Sequence, residues 1–245
     1  NVPFPIGTPE EQAEFEKNQR MQKIKNIAEI VYHKQLMNCD KKYNINGEMY
    51  TPLEYLTQIR KRKIETIERF NIGFCTNYLD LYNELASMGY TKEEIREAKV
   101  WIPEQLFVFF YRDPITFDIV RINTKNPFDI KFPDKDTPIK GLSYGNKVMY
   151  FPPNFDFNKN YAIIVEGEHD LYSVWEQGET NVVASGGSIE KEYQLSIFYK
   201  LGDNATVYEM CDNDEAGYKY KDIINETLAD IKVKSINYDE NYKDP

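Results

Sequence analysis

Two short acidic runs carry the chemistry this sequence advertises. One is Glu166-Gly167-Glu168-His169-Asp170 and the other is Asp212-Asn213-Asp214-Glu215-Ala216-Gly217. Carboxylates packed this closely repel one another and are costly to keep ionised without a counter-charge. A hard divalent cation is the usual counter-charge, because it takes oxygen ligands and keeps several waters for substrate phosphates. Asp212 and Asp214 are two apart, so persisting strand geometry points both to one side. Gly167 and Gly217 permit close backbone approach or tight strand-to-helix packing. A lone Asp-x-Asp is more often a helix cap or turn, where a carboxylate satisfies the helix N-terminus. His169 alone reads as a surface or turn histidine, since hard cations prefer oxygen. Two acidic runs separated by an Ala184-Ser185-Gly186-Gly187 turn favour the metal reading.

These residues need a scaffold that brings the two runs together. From residue 147 onward, apolar and β-branched runs predict strands at Val148–Phe151, Tyr161–Val165, Asn181–Ala184, Thr206–Met210 and Val233–Tyr238. Helices are predicted between the last four, at Leu171–Glu176, Ile189–Leu201 and Ala216–Leu228. Such alternation implies a mainly parallel α/β sheet with right-handed crossovers. Ligands of open α/β sheets bind beyond the carboxyl ends of strands, where both acidic runs would face one crevice.

The upstream half has a different texture. Residues 1–12 carry three prolines and a glycine and read as a tail or linker. Apolar residues at helical spacing predict a helix from about Glu14 to Leu36. Shorter helices follow at Thr51–Gln58, Lys63–Phe70 and Tyr78–Met88, and Thr91 with Glu94 forms a capping-box signature for the next. Phe107–Arg112 and Phe117–Thr124, divided by Asp113-Pro114, read as a β-hairpin or a pair of neighbouring strands, and residues 125–146 as an extended loop. The expectation is therefore an α/β chain, α+β overall. It comprises a tail at 1–13, a basic helical and β-hairpin N-terminal subdomain at 14–146, and a Rossmann-like, mainly parallel sheet at 147–245.

Composition bounds the function classes. The 245 residues are 41% hydrophobic and 14% aromatic, enough for real cores and against wholesale disorder. No apolar run reaches 18 residues, which excludes a membrane helix. Cys39, Cys75 and Cys211 lie far apart and the chain has two histidines, arguing against a self-contained zinc site or a disulfide framework. A reducing, cytoplasmic setting is expected. The chain starts at Asn1 without Met and ends at Asp244-Pro245 in mid-pattern, so a segment of a longer protein is expected. Net charge is −10, but residues 17–75 hold twelve Lys+Arg against six Asp+Glu. Residues 161–245 hold seven against eighteen. A basic half joined to an acidic half hints at polyanion handling, although a solvated helical face beside an acidic surface is the simpler account of charge alone.

The string IIVEGEHDLYSVWEQGETNVVASGG, followed by VYEMCDNDEAG, resembles the TOPRIM domain shared by bacterial-type primases, type IA and type II topoisomerases and some nucleases. Its hallmark glutamate falls on Glu166 and its Asp-x-Asp on Asp212 and Asp214. The primase branch writes these motifs as EG-x-x-D and D-x-D-x-AG; Glu168 here replaces a common Tyr and Asn213 a common Gly. A further Asp-Pro-Asp motif begins at Asp244-Pro245. Upstream, Arg60 and Phe70-Asn71-Ile72-Gly73-Phe74 resemble a primase segment, and the hairpin ending near Arg121 and the loop carrying Lys140 and Lys147 align loosely. The zinc-binding module that usually precedes this region, and the helicase or helicase-interacting part that usually follows, are not expected in the stretch.

The resemblance implies a DNA primase catalytic core, a nucleotidyltransferase that makes short RNA primers from NTPs on a single-stranded DNA template with Mg²⁺ or Mn²⁺. Glu166, Asp212 and Asp214 would be catalytic; these three with Asp170 and Asp244 would hold metal. Arg121, Lys140 and Lys147 would meet incoming phosphates, and Arg60, Lys61, Arg62 and Lys63 the template. Tyr78, Tyr82 and Trp101 are candidates to stack on template bases, although with 19 Tyr and 14 Phe in the chain ordinary packing is the simpler account of any one ring. A replicative helicase, fused or separate, is the implied partner, and the nucleoid or a phage replisome the implied place. A TOPRIM nuclease would use the same acidic site without NTPs, and a non-catalytic helicase- or nucleic-acid-binding module would need none of it.

Overall fold

A computed structural model describes residues 7–45, 47–128, 137–187, 192–212 and 214–236. In chain order the elements begin with helix α1 (Pro9–Met37), strands β1 (Tyr43–Ile45) and β2 (Glu48–Tyr50), and α2 (Pro52–Glu54), which continues as a π-helical turn through Ile59. Then come α3 (Ile64–Arg69), β3 (Gly73–Phe74), α4 (Tyr78–Ser87), α5 (Lys92–Glu97), β4 (Phe107–Arg112), β5 (Ile119–Lys125) and β6 (Ser143–Gly145). The last part holds β7 (Tyr161–Val165), α6 (Glu168–Glu176), β8 (Val182–Ala184), α7 (Glu192–Ser196), β9 (Thr206–Glu209), α8 (Glu215–Thr227) and β10 (Lys232–Ser235). None of the described helices is long and apolar enough to cross a membrane.

These elements form two compact units, neither contiguous in sequence. The first takes Asn1–Leu53, Asn71–Phe110 and Ile122–Tyr144; the second takes Glu54–Phe70, Tyr111–Arg121 and Gly145–Pro245.

In the first unit α1 buries Met21, Ile24, Ala28, Val31, Tyr32 and Leu36 along one stripe. The helix starts at Pro9, inside the stretch expected to be a tail. Thr8 Oγ1 accepts from Glu11 N at 3.3 Å while Glu11 Oε2 accepts from Thr8 N at 2.7 Å, and this reciprocal cap outweighs the local proline content. Pro9 itself suits the first turn, where its missing N–H costs nothing. The expected cap at Thr91 and Glu94 is present on α5. Glu94 also binds Arg20 of α1 through Nε at 2.7 Å and Nη2 at 3.2 Å. That guanidinium, helped by the Thr91 amide, holds the Glu94 carboxyl down at about 2. Because the folded value lies below the ordinary carboxylate range, this tie is complete above about 4.5 and is lost as pH falls through about 2. The side-chain carbon shift of Glu94 is therefore expected to titrate near 2, and higher in R20Q, where only the Thr91 cap still holds it below the ordinary value.

Among the described residues the strands make three sheets: the pair β1-β2, the order β3-β4-β5-β6, and the order β10-β9-β7-β8. The expected hairpin is present, its turn closed by Asp113 N donating to Asp118 O at 2.8 Å. The third sheet lies in the second unit and is parallel throughout. On one face Ala162, Ile164, Val183 and Val207 pack with Leu195, Phe198, Ile224 and Leu228. The expected strand Val148–Phe151 is not a strand. Only Tyr150 bridges to Ala184, while Met149, Tyr150 and Phe151 are buried as core side chains. The tail of the expected last strand, beyond Ile236, lies outside the described residues.

Candidate metal centre

The sheet order places β7 between β8 and β9. The chain thus steps from β7 to β8 on one side and then crosses back to lay β9 on the other. That reversal is a topological switch point, where helices diverge and leave a crevice beyond the strand ends. Glu166 follows β7 and Asp212 follows β9, so the crevice is theirs.

Their local geometry departs from a simple ladder. Ile164 pairs with Glu209, and Met210 N donates to Ile164 O at 2.9 Å. The next rung would run from Asp212 N to Glu166 O. Instead Asp212 N donates to Glu166 Oε1 at 3.1 Å. The Glu166 carbonyl is taken by Gly186 N at 3.0 Å and Ser185 Oγ at 3.1 Å. A carboxylate stands where a carbonyl would. Gly217, the third residue of α8, packs so close to the Asp212 carbonyl that a Cβ there would overlap it.

Asp170 and Asp214 are placed differently. Asp170 Oδ2 accepts from Gly167 N at 2.8 Å, completing the cap of α6. Asp214 Oδ1 accepts from Gly217 N at 3.0 Å at the start of α8. Both thus make the capping bonds that their sequence positions also allowed. Asp214→Ala should cost about 1 kcal/mol in urea unfolding without any added cation, the usual worth of a carboxylate cap. Asp244 lies outside the described residues.

Among the described residues no three His, Cys, Asp or Glu side chains stand where they would hold one ion together. The pair Glu166 and Asp212 nevertheless suits a hard divalent cation. Mg²⁺ is commonly bound through one or two carboxylates, with water and substrate phosphate in the remaining positions. The neighbouring Cys211 offers no thiolate, because burial and the adjacent Glu209 and Glu166 carboxylates push its thiol well up.

The basic candidates divide by exposure. Arg60 and Lys61 are exposed in the second unit, Lys147 is half-buried there, and Lys140 is exposed in the first unit. Arg62, a template candidate by sequence, turns inward. It donates to His169 O at 3.2 Å and Ser173 Oγ at 3.0 Å, and lies 3.7 Å from Glu176 Oε2. Lys63 is likewise engaged, its backbone N on Glu176 Oε1 at 2.9 Å and its Nζ on the Glu176 carbonyl at 3.0 Å. Arg121 is 5% exposed and its Nη2 donates to Gly186 O at 3.3 Å. In the first unit Tyr78, Tyr82 and Trp101 line a cavity of about 460 Å³ with Lys92 and Arg96.

Two further acids of the second unit are buried, Glu209 outside both acidic runs and Glu168 within the first. Glu209 on β9 is fully buried 3.7 Å from Lys221 Nζ of α8. Glu168, 1% exposed, accepts from Tyr111 OH at 2.6 Å. Glu209 falls at an inward position of an alternating strand, a signal the sequence did contain.

Residues 163–245 match the Toprim-like family model. A DNA primase of Clostridium acetobutylicum is 26% identical over 230 residues, covering 84% of this chain and 38% of the relative. The chain thus spans about two fifths of that protein. Among solved structures, the zinc-binding and RNA polymerase domains of Aquifex aeolicus primase superpose with a TM-score of 0.76 at 19% identity, over 93% of this chain and 57% of that one. The RNA polymerase domain of Mycobacterium tuberculosis primase DnaG gives 0.69 at 18% identity, over 89% and 76%. A DnaG primase catalytic domain bound to ssDNA gives 0.66 at 16% identity, over 93% and 74%. The architecture is that of DnaG-type primase RNA polymerase domains: N-terminal helices and an antiparallel sheet, then a four-strand parallel Toprim sheet.

Proposed function

We propose that this chain, with the fold of a DnaG-type primase RNA polymerase domain, is the catalytic core of a primase that joins ribonucleotides on single-stranded DNA. The observation that carries the reading is the Glu166 carboxylate held against the Asp212 amide at the switch point between β7 and β9. In the reaction a 3′-hydroxyl attacks the α-phosphorus of an NTP and pyrophosphate leaves. The demands are to offset the triphosphate charge and to hold the two reactants in line. Glu166 and Asp212 would hold Mg²⁺ or Mn²⁺, with Asp214, Asp170 and Asp244 as further candidates. When bound, the cation supplies positive charge to the phosphate oxygens.

The chain's own groups do the rest. The amide of Asp212 fixes the orientation of Glu166 by a charge-assisted bond. Lys147 is the proposed partner of the incoming phosphates, and Arg60 and Lys61 of the template backbone. The rings of Tyr78, Tyr82 and Trp101, with Lys92 and Arg96, suit stacking and phosphate contact along single-stranded DNA. The test is incubation of the chain with labelled NTPs, single-stranded DNA and Mg²⁺ or Mn²⁺. Short RNA products are expected. Cleavage of the DNA without NTPs would establish the nuclease alternative, and the absence of either product would overturn both.

A further inference from the structure

The second unit buries opposite charges around Glu166 that the proposed chemistry does not use. Glu168 lies two residues beyond Glu166 and is 1% exposed. Its Oε1 accepts from the hydroxyl of Tyr111, itself fully buried, at 2.6 Å. The Arg121 guanidinium sits 5.0 Å from the centre of the same Tyr111 ring, within cation–π range. Arg121 Nη2 then donates to Gly186 O, and Gly186 N donates to the Glu166 carbonyl. Two routes therefore leave Tyr111 and arrive on either side of Glu166: one through Glu168 at the head of α6, the other through Arg121 and the Gly186 peptide.

Gly186 is fitted to this arrangement. It adopts φ +64°, and a Cβ on it would overlap the Tyr111 hydroxyl. The Tyr111 ring in turn packs, tilted by 42°, with its centre 4.6 Å from that of Tyr150, whose hydroxyl lies 3.0 Å from that of Tyr172. Burial and the Glu168 charge push the Tyr111 phenol well up, so it remains a donor at working pH.

Removing charged groups from water is expensive, and apolar residues of similar volume often give an equal or more stable core. Stability is thus a weak reason for this set, whereas fixed geometry at a ligand carboxylate is a strong one. Outer partners of metal ligands act by orienting them. We infer that Tyr111, Glu168 and Arg121 are positioning residues that set the backbone at Glu166 and so hold its carboxylate on the Asp212 amide. The inference rests on the reading of Glu166 as a ligand, but its test does not.

The Asp212 amide donates to Glu166 Oε1, so its hydrogen exchange reports the placement of that carboxylate. In the whole chain without added cation, Tyr111→Phe should speed exchange at the Asp212 and Gly186 amides at least tenfold. The amides of Ile164 and Val207, inside the sheet, should change by less than twofold. Glu168→Leu should do the same, and Glu168→Gln, which keeps an oxygen for the Tyr111 hydroxyl, should restore most of the protection. If Glu168→Leu does not fold, Tyr111→Phe decides. An Asp212 amide that stays within twofold of the parent overturns the inference. So does a uniform acceleration across β7 and β9, which would mark a purely structural role. A parent chain that binds no Mn²⁺ but shows the expected exchange pattern supports the positioning role and retires the ligand reading instead.

Discussion

Asp212→Asn is expected to weaken Mn²⁺ binding by more than about 100-fold and to abolish primer synthesis, with the apo melting temperature unchanged within about 1 °C. Loss of an outer partner of a metal ligand typically costs 10–100-fold, and loss of a ligand's charge should exceed that. Folding should be spared because Asn keeps the shape of Asp and because the bond to Glu166 comes from the main chain of residue 212. Electron paramagnetic resonance of free Mn²⁺ measures the affinity, and a thermal melt measures the fold. A melting temperature that falls by several degrees without metal would mean that Asp212 serves the architecture. The contrast with Asp214→Ala is informative, since that change also removes a helix cap and should destabilise the apo chain.

The second large effect concerns Arg62. Its side chain is 10% exposed, and the facing Glu176 side chain is 7% exposed. Glu176 also accepts from Lys63 N at 2.9 Å and from Thr66 Oγ1 at 2.6 Å, which ties the start of α3 to the end of α6. Arg62→Ala should cost about 3 kcal/mol, because truncating one member of a buried ion pair leaves the other charge in a poor environment. For a chain of this size that corresponds to a melting temperature lower by roughly 6–12 °C. Double substitution with Glu176→Gln should recover part of the loss, and a thermodynamic cycle in urea would give the coupling. If Arg62 were a template contact, its loss would reduce DNA affinity and leave stability unchanged.

Much of the parallel sheet was legible from periodicity. Tyr161–Val165 matches its predicted bounds, since an apolar run ending on an acidic turn has few other ways to fold. The preceding run at Val148–Phe151 is also apolar but satisfies its side chains by burial, with a single bridge at Tyr150. Periodicity registers burial, and only pairing makes a strand. The juxtaposition of Glu166 and Asp212 followed from strand-end chemistry, and the geometry adds the exchange of a backbone rung for a side chain.

The inward turn of Arg62 and Arg121 could not be read. A basic residue is written the same way whether it meets water or a buried acid, and the partners here are remote in sequence. Arg62 finds Glu176 and Arg121 finds Gly186, 65 residues on. The early start of α1 was readable in principle: Thr8-Pro9-Glu10-Glu11 carries cap, first-turn proline and capping glutamate in sequence. The hairpin Tyr43–Tyr50 was readable too, from its Asn46-Gly47 dipeptide between aromatic flanks.

Because the second unit gathers Glu54–Phe70, Tyr111–Arg121 and Gly145–Pro245, its native contacts close long loops of chain. Such contacts are made late, since the entropy of closing each loop is spent before any reward returns. During synthesis the stretches around Arg62 and Tyr111 emerge long before the acids they will meet. Refolding from urea should therefore be slow relative to a helical protein of equal length. A fragment that begins at Gly145 would carry Glu168 and Glu176 into a core stripped of Tyr111, Arg121, Arg62 and Thr66, and should fail to fold alone.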